Sequence, residues 1–572
     1  MAVLRVALAQ LNTTVGDLAG NSALILDAGR RAAEVGADLV AFPELALTGY
    51  PPEDLLLRAP FIADAVAALD ALAERARGLP PLVVGCLDFD GQLYNAAAVL
   101  HAGRVAGRYR KHQLPNYGVF DELRYFQPGT DAPLFSIGGV AVGVTICEDV
   151  WYPGGPLREH ALAGASVVVN LNASPYHFGK TRDRERMLAT RAADNTVAIV
   201  YVNQVGGQDE LVFDGNSLVL GADGALLARG ASFADDLVLA DIDVTRIMQR
   251  QLHSPLLRRE RGPQPLRIPI AVSPPHAGAR LPLLPAHTAE PDSIAEAYAA
   301  LVAGTRDYVR KSGFANVLVA LSGGIDSALV GAVAVDALGA EHVRGVSLPS
   351  RYSSEGSIAD AQALATNLGI ALVAMPIEPL HEAALDTLAR EFAGTQPGTA
   401  EENVQARIRG LLMMALSNKS GAMVLTTGNK SEYACGYATL YGDMVGGFAV
   451  IKDVPKTLVY QLARYRNTLG AVIPEASLTK PPSAELRPGQ LDSDSLPPYE
   501  QLDPIIEAYV EDDAPLESIV AAGADEALAR RVIDMINRNE YKRRQSPPGV
   551  KITTRAFGRD RRLPLASKYR GY

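Results

Sequence analysis

The chain has 572 residues, 48% hydrophobic and 21% charged; it is too long for one core, since cores stop growing near roughly 250–300 residues, and too apolar for wholesale disorder, so two large domains are expected. A net charge of −10 argues against a nucleic-acid binder, whose affinity rests on clustered Lys and Arg, and no apolar run reaches the roughly 18 residues of a membrane span. Cys86, Cys147 and Cys435 are too few and too scattered for a disulfide framework or a structural zinc site.

From the N-terminus, short apolar runs alternate with helical stretches: LRVALAQ, ADLVAFPE, PLVVGCLDF, VAVGVTICED, ASVVVNLNAS and VAIVYVNQ. Buried strands separated by helices predict a layered α/β domain over residues 1–245. The opening MAVLRVALAQLNTT enters the first strand without a secretory signal's layout, which points to the cytoplasm. Three stretches carry chemistry: AFPELALTGY, RYRKHQLPNYGVFDE and VTICEDVW. They place Glu44, Lys111 and Cys147 beside or just after apolar runs, where separate strand ends can converge on one pocket. Taken singly each has a plainer role, Cys147 as a buried structural thiol and Glu44 and Lys111 as surface charges.

Between 246 and 290 the pattern dissolves, and dense Pro and Gly predict an extended connector. From 291 a second series begins with the helical SIAEAYAALVAGTRDYVRKSG and continues through ANVLVALSGG, VRGVSLPS, IALVAMPIE and GAMVLTTGN. These runs predict a Rossmann-like parallel sheet with ligands beyond the strands' C-terminal ends. SGGIDS lies between the strand-like NVLVAL and the helical ALVGAVAV, so the N–H groups of Ser322, Gly323 and Gly324 can cradle an anion at a helix N-terminus. The commonest phosphate loop ends in Gly-Lys-Ser/Thr, its Lys reaching the β- and γ-phosphates. Here Asp326 stands in that place. The locally basic run NEYKRRQSPPGVKITTRAFGRDRR is either a solvated surface or a clamp on an anionic small molecule.

The three N-terminal motifs together resemble the nitrilase-type carbon–nitrogen hydrolases across most of residues 1–245, which implies an α-β-β-α sandwich and a Glu-Lys-Cys triad that cleaves amides. Carried over, Glu44 is the general base that draws the thiol proton and Cys147 the nucleophile. Lys111 would stabilise the oxyanion and help hold the thiolate form, and Glu122, in VFDE, matches a second carboxylate that orients the site. NLNASPYHFGK resembles the glutamine-binding segment of the glutaminase members, which implies that Ser174 and Lys180, with Tyr117, bind L-glutamine.

The full string from Ser322 to Ser327 resembles the PP-loop of ATP pyrophosphatases, which cut ATP between the α- and β-phosphates. This implies ATP contacts from Ser322, Gly323, Gly324, Ile325, Asp326 and Ser327. It also explains the missing Lys, because Asp326 would be a ligand for Mg²⁺ beside the leaving pyrophosphate. TTGNKSEYACGYATLYGD, VIKDVPKTLVY, TKPPSAELRPGQLDSDSLPPYEQLD and NEYKRRQSPPGVKIT are similar to successive segments of NAD⁺ synthetase over 291–565. By that resemblance Thr427, Lys456 and Ser483 contact ATP, and Glu432 is a second Mg²⁺ ligand. Asn403, Glu432 and Lys542 contact deamido-NAD⁺, and Arg407 is either a phosphate partner or an exposed helix charge. Leu440 departs from the Lys that some single-domain, ammonia-using members carry, so that contact is not transferred.

A nitrilase-type glutaminase ahead of such a domain is the layout of the glutamine-dependent NAD⁺ synthetases. The resemblance implies domains at 1–245 and 291–572 around a Pro-rich linker at 246–290. It also implies ATP-dependent amidation of deamido-NAD⁺ by ammonia from glutamine, passed internally, through an acyl-adenylate with release of AMP and pyrophosphate. A homo-oligomer, up to an octamer, is the family expectation. Two rivals are weighed: another PP-loop amidotransferase, which would pair the loop with a different glutaminase fold, and a degenerate hydrolase fused to a nucleotide sensor, which would require a broken motif.

Overall fold

The computed structural model describes residues 3–261, 267–276, 280, 283, 288 and 292–569. It divides into two compact units, Met1–Gln208 with Val212–Pro291, and Asp209–Leu211 with Asp292–Tyr572. No helix among the described residues is long and apolar enough to cross a membrane.

The strands of the first series are β1 (Val3–Gln10), β2 (Leu39–Ala41), β3 (Leu82–Phe89), β4 (Leu93–His101), β5 (Arg104–Arg110), β6 (Leu134–Ile137), β7 (Val140–Ile146), β8 (Val167–Asn172), β9 (Ala198–Asn203), β10 (Val205–Gln208), β11 (Leu211–Asp214), β12 (Leu218–Leu220), β13 (Leu226–Arg229), β14 (Asp236–Asp243) and β15 (Ile270–Ala271). One six-stranded sheet runs β14-β1-β2-β3-β4-β5 and one seven-stranded sheet runs β13-β12-β9-β8-β7-β6-β15. Their inner faces meet through Val6, Leu8, Val83 and Val99 on one side and Val142, Val144, Val169 and Val200 on the other. Helices Leu18–Glu34 and Ala59–Arg75 cover the first sheet through Ile25, Ala32, Leu69 and Leu72, and helices Pro156–Ala163 and Lys180–Asn195 cover the second through Leu157, Ala161, Leu188 and Ala192. The result is the expected α-β-β-α sandwich. Because both faces of the inner strands are covered, they read as continuous apolar runs rather than alternating ones.

The segment from 246 differs from the expected extended connector in its first part. Helix Val244–His253 is followed by helix Pro255–Arg261, with Val244, Ile247, Gln251 and Leu257 buried at helical spacing. The Gln251 amide donates to the carbonyls of Ala165 (2.9 Å) and Thr196 (3.0 Å). Pro255 occupies the first helical position, where its missing N–H is not needed, so it starts a helix instead of breaking one. Farther along, Ile270–Ala271 adds a parallel edge strand to β6. Residues 262–266, 277–279, 281–282, 284–287 and 289–291 of the expected connector and its end lie outside the described residues.

The second series is β16 (Val317–Ala320), β17 (Val343–Ser347), β18 (Ala371–Ala374), β19 (Met423–Thr426) and β20 (Phe448–Ala449), in a sheet of order β18-β17-β16-β19-β20 with every pair parallel. Helix Thr399–Ser420 packs Ile408 and Met413 on Leu318, Val346 and Val424. Helix Ile325–Leu338 lies against helices Ser293–Lys311 and Lys456–Thr468. The strand order reverses at β16, so the loops after β16 and β19 part there and leave a crevice. A helical cluster around Leu502, Ile505, Val532 and Ile533 completes the unit.

Candidate functional site

In the sandwich, strand ends bring the N-terminal candidates together. Glu44 follows β2, Lys111 directly follows β5, Cys147 directly follows β7, and Glu122 opens the 3₁₀ turn Glu122–Arg124. The Lys111 ammonium lies 2.7 Å from Glu44 Oε1 and 2.8 Å from both oxygens of Glu122. Asn95 on β4 donates to Glu44 Oε1 at 2.7 Å, Tyr50 donates to Glu122 Oε1 at 3.1 Å, and the Ala173 N–H donates to Glu44 Oε2 at 3.2 Å. All four candidates are buried. Cys147 sits at φ +43°, a left-handed conformation that a residue with a side chain holds only when its surroundings fix it.

The electrostatics follow from this packing. Burial pulls the Lys111 pKa down, but Glu122 and Glu44 outweigh it and leave the ammonium firmly protonated. Burial, then Glu44, push the Cys147 thiol well above its ordinary range and outweigh the opposing Lys111, so the resting group is a neutral thiol and not the Lys111-held thiolate expected from the sequence. Burial likewise lifts Glu122 to about 7, with Lys111 opposing and Glu44 adding. A neutral thiol beside a carboxylate and a fixed ammonium can attack a carbonyl only as its proton is removed, and the ammonium is then the natural partner of the oxyanion.

Of the expected glutamine contacts, Ser174 is buried just past β8, its N–H donating to Asn203 Oδ1 at 3.0 Å. Lys180 begins helix Lys180–Asn195 and donates to the Pro175 carbonyl at 2.7 Å. Tyr117 is exposed and donates to Glu148 at 2.9 and 3.0 Å. Burial raises the Glu148 pKa, with its hydrogen bond from Tyr117 and the charges of Lys111 and Lys180 opposing, so Glu148 is contacted by Tyr117 and lies within electrostatic reach of both lysines. Glu148 was missed in sequence, as were Asn95, Tyr50 and Asp149. The adjacency of two acids to Cys147 was the available signal for Glu148 and Asp149.

In the second unit a cavity of about 320 Å³ opens at the reversal point, lined by the loop after β16 and the ends of β17 and β19. Ser322, Gly324, Ile325, Asp326, Ser327, Thr427, Glu432, Lys456 and Ser483 all line it. Gly323 does not, but shapes the turn: at φ +80° its Cβ would stand 2.2 Å from the Ser357 carbonyl oxygen. The loop braces itself, with the Gly324 N–H donating to Ser322 Oγ at 3.2 Å and Ser327 Oγ to the Gly324 carbonyl at 3.0 Å. Ser483 donates to the Gln490 carbonyl.

Lys456 bonds to Asp326 and lies 3.9 Å from Glu432. Asn429 donates to Asp326 Oδ1 at 3.0 Å and accepts from the Glu432 N–H at 3.0 Å, tying the two acids together. Burial and then Asp326 push the Glu432 carboxyl well above its usual range, against Lys456. Among the described residues no three His, Cys, Asp or Glu side chains form a metal cage. The crowded carboxylates of Asp326 and Glu432 beside Lys456 fit Mg²⁺, which takes its remaining ligands from water and phosphates.

Asn403 and Lys542 lie outside the cavity lining but meet the same turn: Asn403 accepts from Thr439 Oγ1 at 2.8 Å, and Lys542 donates to the carbonyls of Gly436 (2.7 Å) and Ala438 (2.9 Å). Arg407 donates to the Leu440 carbonyl at 3.2 Å, so position 440 contributes its backbone there.

Comparison with known proteins bears on the whole chain. The family models for carbon-nitrogen hydrolase and NAD synthase match residues 5–251 and 297–546. Glutamine-dependent NAD(+) synthetases of Thermotoga maritima and Aquifex aeolicus are 48% and 47% identical, each over 99% of this chain and 99% and 100% of their own lengths. The solved structure of the glutamine-dependent NAD⁺ synthetase from Acinetobacter baumannii, in complex with ADP, is 40% identical with a TM-score of 0.73 and 98% of both chains covered. With both catalytic units matched in one chain, the protein belongs to the glutamine-dependent NAD⁺ synthetases.

Proposed function

We propose that the protein amidates deamido-NAD⁺ to NAD⁺ with ammonia released from L-glutamine, using Glu44, Lys111, Glu122 and Cys147 for nitrogen release and the β16 loop cavity for amidation. The observation that carries this reading is the pairing, in one chain, of a buried carboxylate–ammonium–thiol site with a glycine-turn cavity bearing Asp326, Glu432 and Lys456.

In the first site Ser174, Lys180, Tyr117 and Glu148 hold the amino-acid end of glutamine. Glu44 takes the Cys147 proton as sulfur attacks the amide carbon, and Lys111 donates to the oxygen that becomes negative. Collapse expels ammonia, carrying the proton that Glu44 returns, and leaves a γ-glutamyl thioester. Water, deprotonated by Glu44, then frees glutamate and restores the thiol. Glu122 keeps Lys111 aimed at the reacting carbonyl.

In the second site the turn at Ser322–Gly324 and the Lys456 ammonium receive the phosphates of ATP. Asp326 and Glu432 would hold Mg²⁺, which when bound neutralises charge on the departing pyrophosphate. Asn403 and Lys542 would contact the dinucleotide. Its nicotinate carboxylate attacks the α-phosphorus, pyrophosphate leaves, and ammonia displaces AMP from the acyl carbon to give NAD⁺. Activation is needed because a carboxylate is a poor electrophile, and walls that exclude water protect the acyl-adenylate. Passage of ammonia within the protein has a motive too, since in neutral water it is mostly the non-nucleophilic ammonium.

The test is deamido-NAD⁺ carrying ¹⁸O in its nicotinate carboxylate, incubated with ATP, Mg²⁺ and glutamine. One labelled oxygen is expected in AMP. Label in inorganic phosphate together with ADP, or unlabelled AMP formed alongside NAD⁺, overturns the mechanism.

A further inference from the structure

Asp149 is fully buried two residues beyond Cys147, and both of its oxygens are saturated by the chain. Oδ2 accepts from the Ile146 N–H at 2.9 Å and from the Tyr109 hydroxyl at 2.6 Å; Oδ1 accepts from the N–H groups of His112 at 3.1 Å and Gln113 at 2.8 Å. These donors belong to the two segments that carry the reacting groups. Ile146 is the residue before Cys147, whereas Tyr109, His112 and Gln113 flank Lys111. β5 and β7 lie in different sheets, so no ladder hydrogen bond sets the spacing between the thiol and the ammonium. The carboxylate is a direct cross-link between them.

Resting on the glutaminase reading above, we infer that Asp149 is a positioning residue for nitrogen release, fixing the Cys147 turn at a set distance and angle from Lys111. The strained backbone of Cys147 gives the device its purpose. A residue at φ +43° relaxes unless its neighbours are held, and the N–H immediately before it is anchored by Asp149. The Tyr109 ring adds rigidity by stacking on His112, with centroids 5.3 Å apart. An asparagine in this place has one acceptor oxygen where the site presents donors on both sides. If that oxygen faces His112 and Gln113 and the amide NH₂ faces the Tyr109 hydroxyl, which can turn to accept, the Ile146 N–H is left without a partner. The opposite orientation leaves two N–H groups facing an NH₂. Each allows the thiol to drift, and a displacement of about 1 Å lowers rates by roughly 100-fold.

The experiment uses the full chain and compares wild type, Cys147→Ala, Asp149→Asn and Tyr109→Phe. The readouts are steady-state glutamine hydrolysis, Cys147 alkylation by iodoacetamide followed by mass spectrometry, and NAD⁺ synthesis from ammonium. Asp149→Asn is expected to lower kcat for glutamine by roughly 100-fold and to slow alkylation in parallel, with KM for glutamine within about 2-fold and ammonium-supported synthesis retained. An unchanged kcat overturns the proposal. So does a loss shared by ammonium-supported synthesis, which marks Asp149 as a general folding residue. If Asp149→Asn does not fold, Tyr109→Phe decides: it removes one donor from the same oxygen and is expected to slow both thiol reactions about 5-fold, whereas unchanged rates overturn the proposal. Failure of the underlying reading looks different, because glutamine hydrolysis would then be absent in wild type or persist in Cys147→Ala.

Discussion

Lys111→Met is the most informative single perturbation of the first site, because the ammonium is the one cation contacting Glu44 and Glu122 among the described residues. Methionine keeps most of the stem volume and removes the charge. Taking one partner from a buried ion pair typically destabilises by about 3–5 kcal/mol, because the other charges lose their counter-ion. For a unit of this size each kcal/mol moves the melting temperature by about 2–4 °C, so a drop of roughly 6–20 °C is expected near pH 8. The pH dependence identifies the cause. Burial already raises Glu122 to about 7 while Lys111 holds it down, so removing Lys111 raises it further. A carboxyl whose folded pKa lies above its unfolded value of about 4.3 stabilises the fold below that value, and the contribution is lost as pH rises through the folded pKa. Wild type and variant lose this contribution alike up to about pH 7, so the deficit relative to wild type should stay level from pH 5 to 7 and grow as pH rises above 7. Thermal melts between pH 5 and 8.5, with hydrogen exchange followed in β5 and β7, measure it. A deficit independent of pH, or one below about 1 kcal/mol, refutes the reasoning and assigns the effect to the packing of the lysine stem.

Cys147→Ala is expected to abolish NAD⁺ formation from glutamine and preserve formation from high ammonium; product assays with the two nitrogen sources check it. Asp326→Asn should remove synthesis with either source and weaken Mn²⁺ binding in the presence of ATP, read by electron paramagnetic resonance, while iodoacetamide still labels Cys147. Gly323→Ala forces a Cβ to 2.2 Å from the Ser357 carbonyl oxygen at a φ of +80°. Left-handed backbone costs about 1–2 kcal/mol and overpacking about 1–3. Nucleotide affinity by calorimetry should therefore fall at least about 10-fold, with glutamine hydrolysis by the isolated thiol chemistry unchanged.

The layers of both units were legible because their strands are covered on both faces, as in VVVNLN at β8 and VLVA at β16, and such runs announce themselves without a partner. Residues at strand ends were legible for the same reason: Lys111 and Cys147 each follow directly on an apolar run, and Glu44 follows one closely. Asn95 was not. It lies inside β4, near its start, and only the register of β4 against β5, with Ala96 opposite Arg110, brings residue 95 to the Lys111 end. Asp149 was hidden differently, since its role depends on donors from another sheet that no local spacing encodes. The helices at 244–261 were obscured by Pro255 and by the charged run behind it, whereas their burial is set by contacts such as Gln251 with Thr196, far away in sequence. Asn429 went unnoticed because its helix-capping role is local, but its second partner, Asp326, lies more than a hundred residues earlier.

The neutral, enclosed thiol of Cys147 also determines what can poison the enzyme. Peroxide and alkylating agents that carry no amide react with exposed thiolates, and here burial and Glu44 hold the sulfur protonated until an amide, whether substrate or a small reagent such as iodoacetamide, sits over it. Oxidative stress should consequently spare this cysteine relative to those of enzymes that keep a standing thiolate. An electrophile shaped like glutamine, with an amino-acid end for the Glu148 and Lys180 contacts proposed above and a reactive carbon in place of the amide, would recruit the same proton removal proposed for the natural substrate. It would be activated only inside the pocket, so selectivity among cellular thiols would come from the enzyme's own machinery and not from the warhead's intrinsic reactivity.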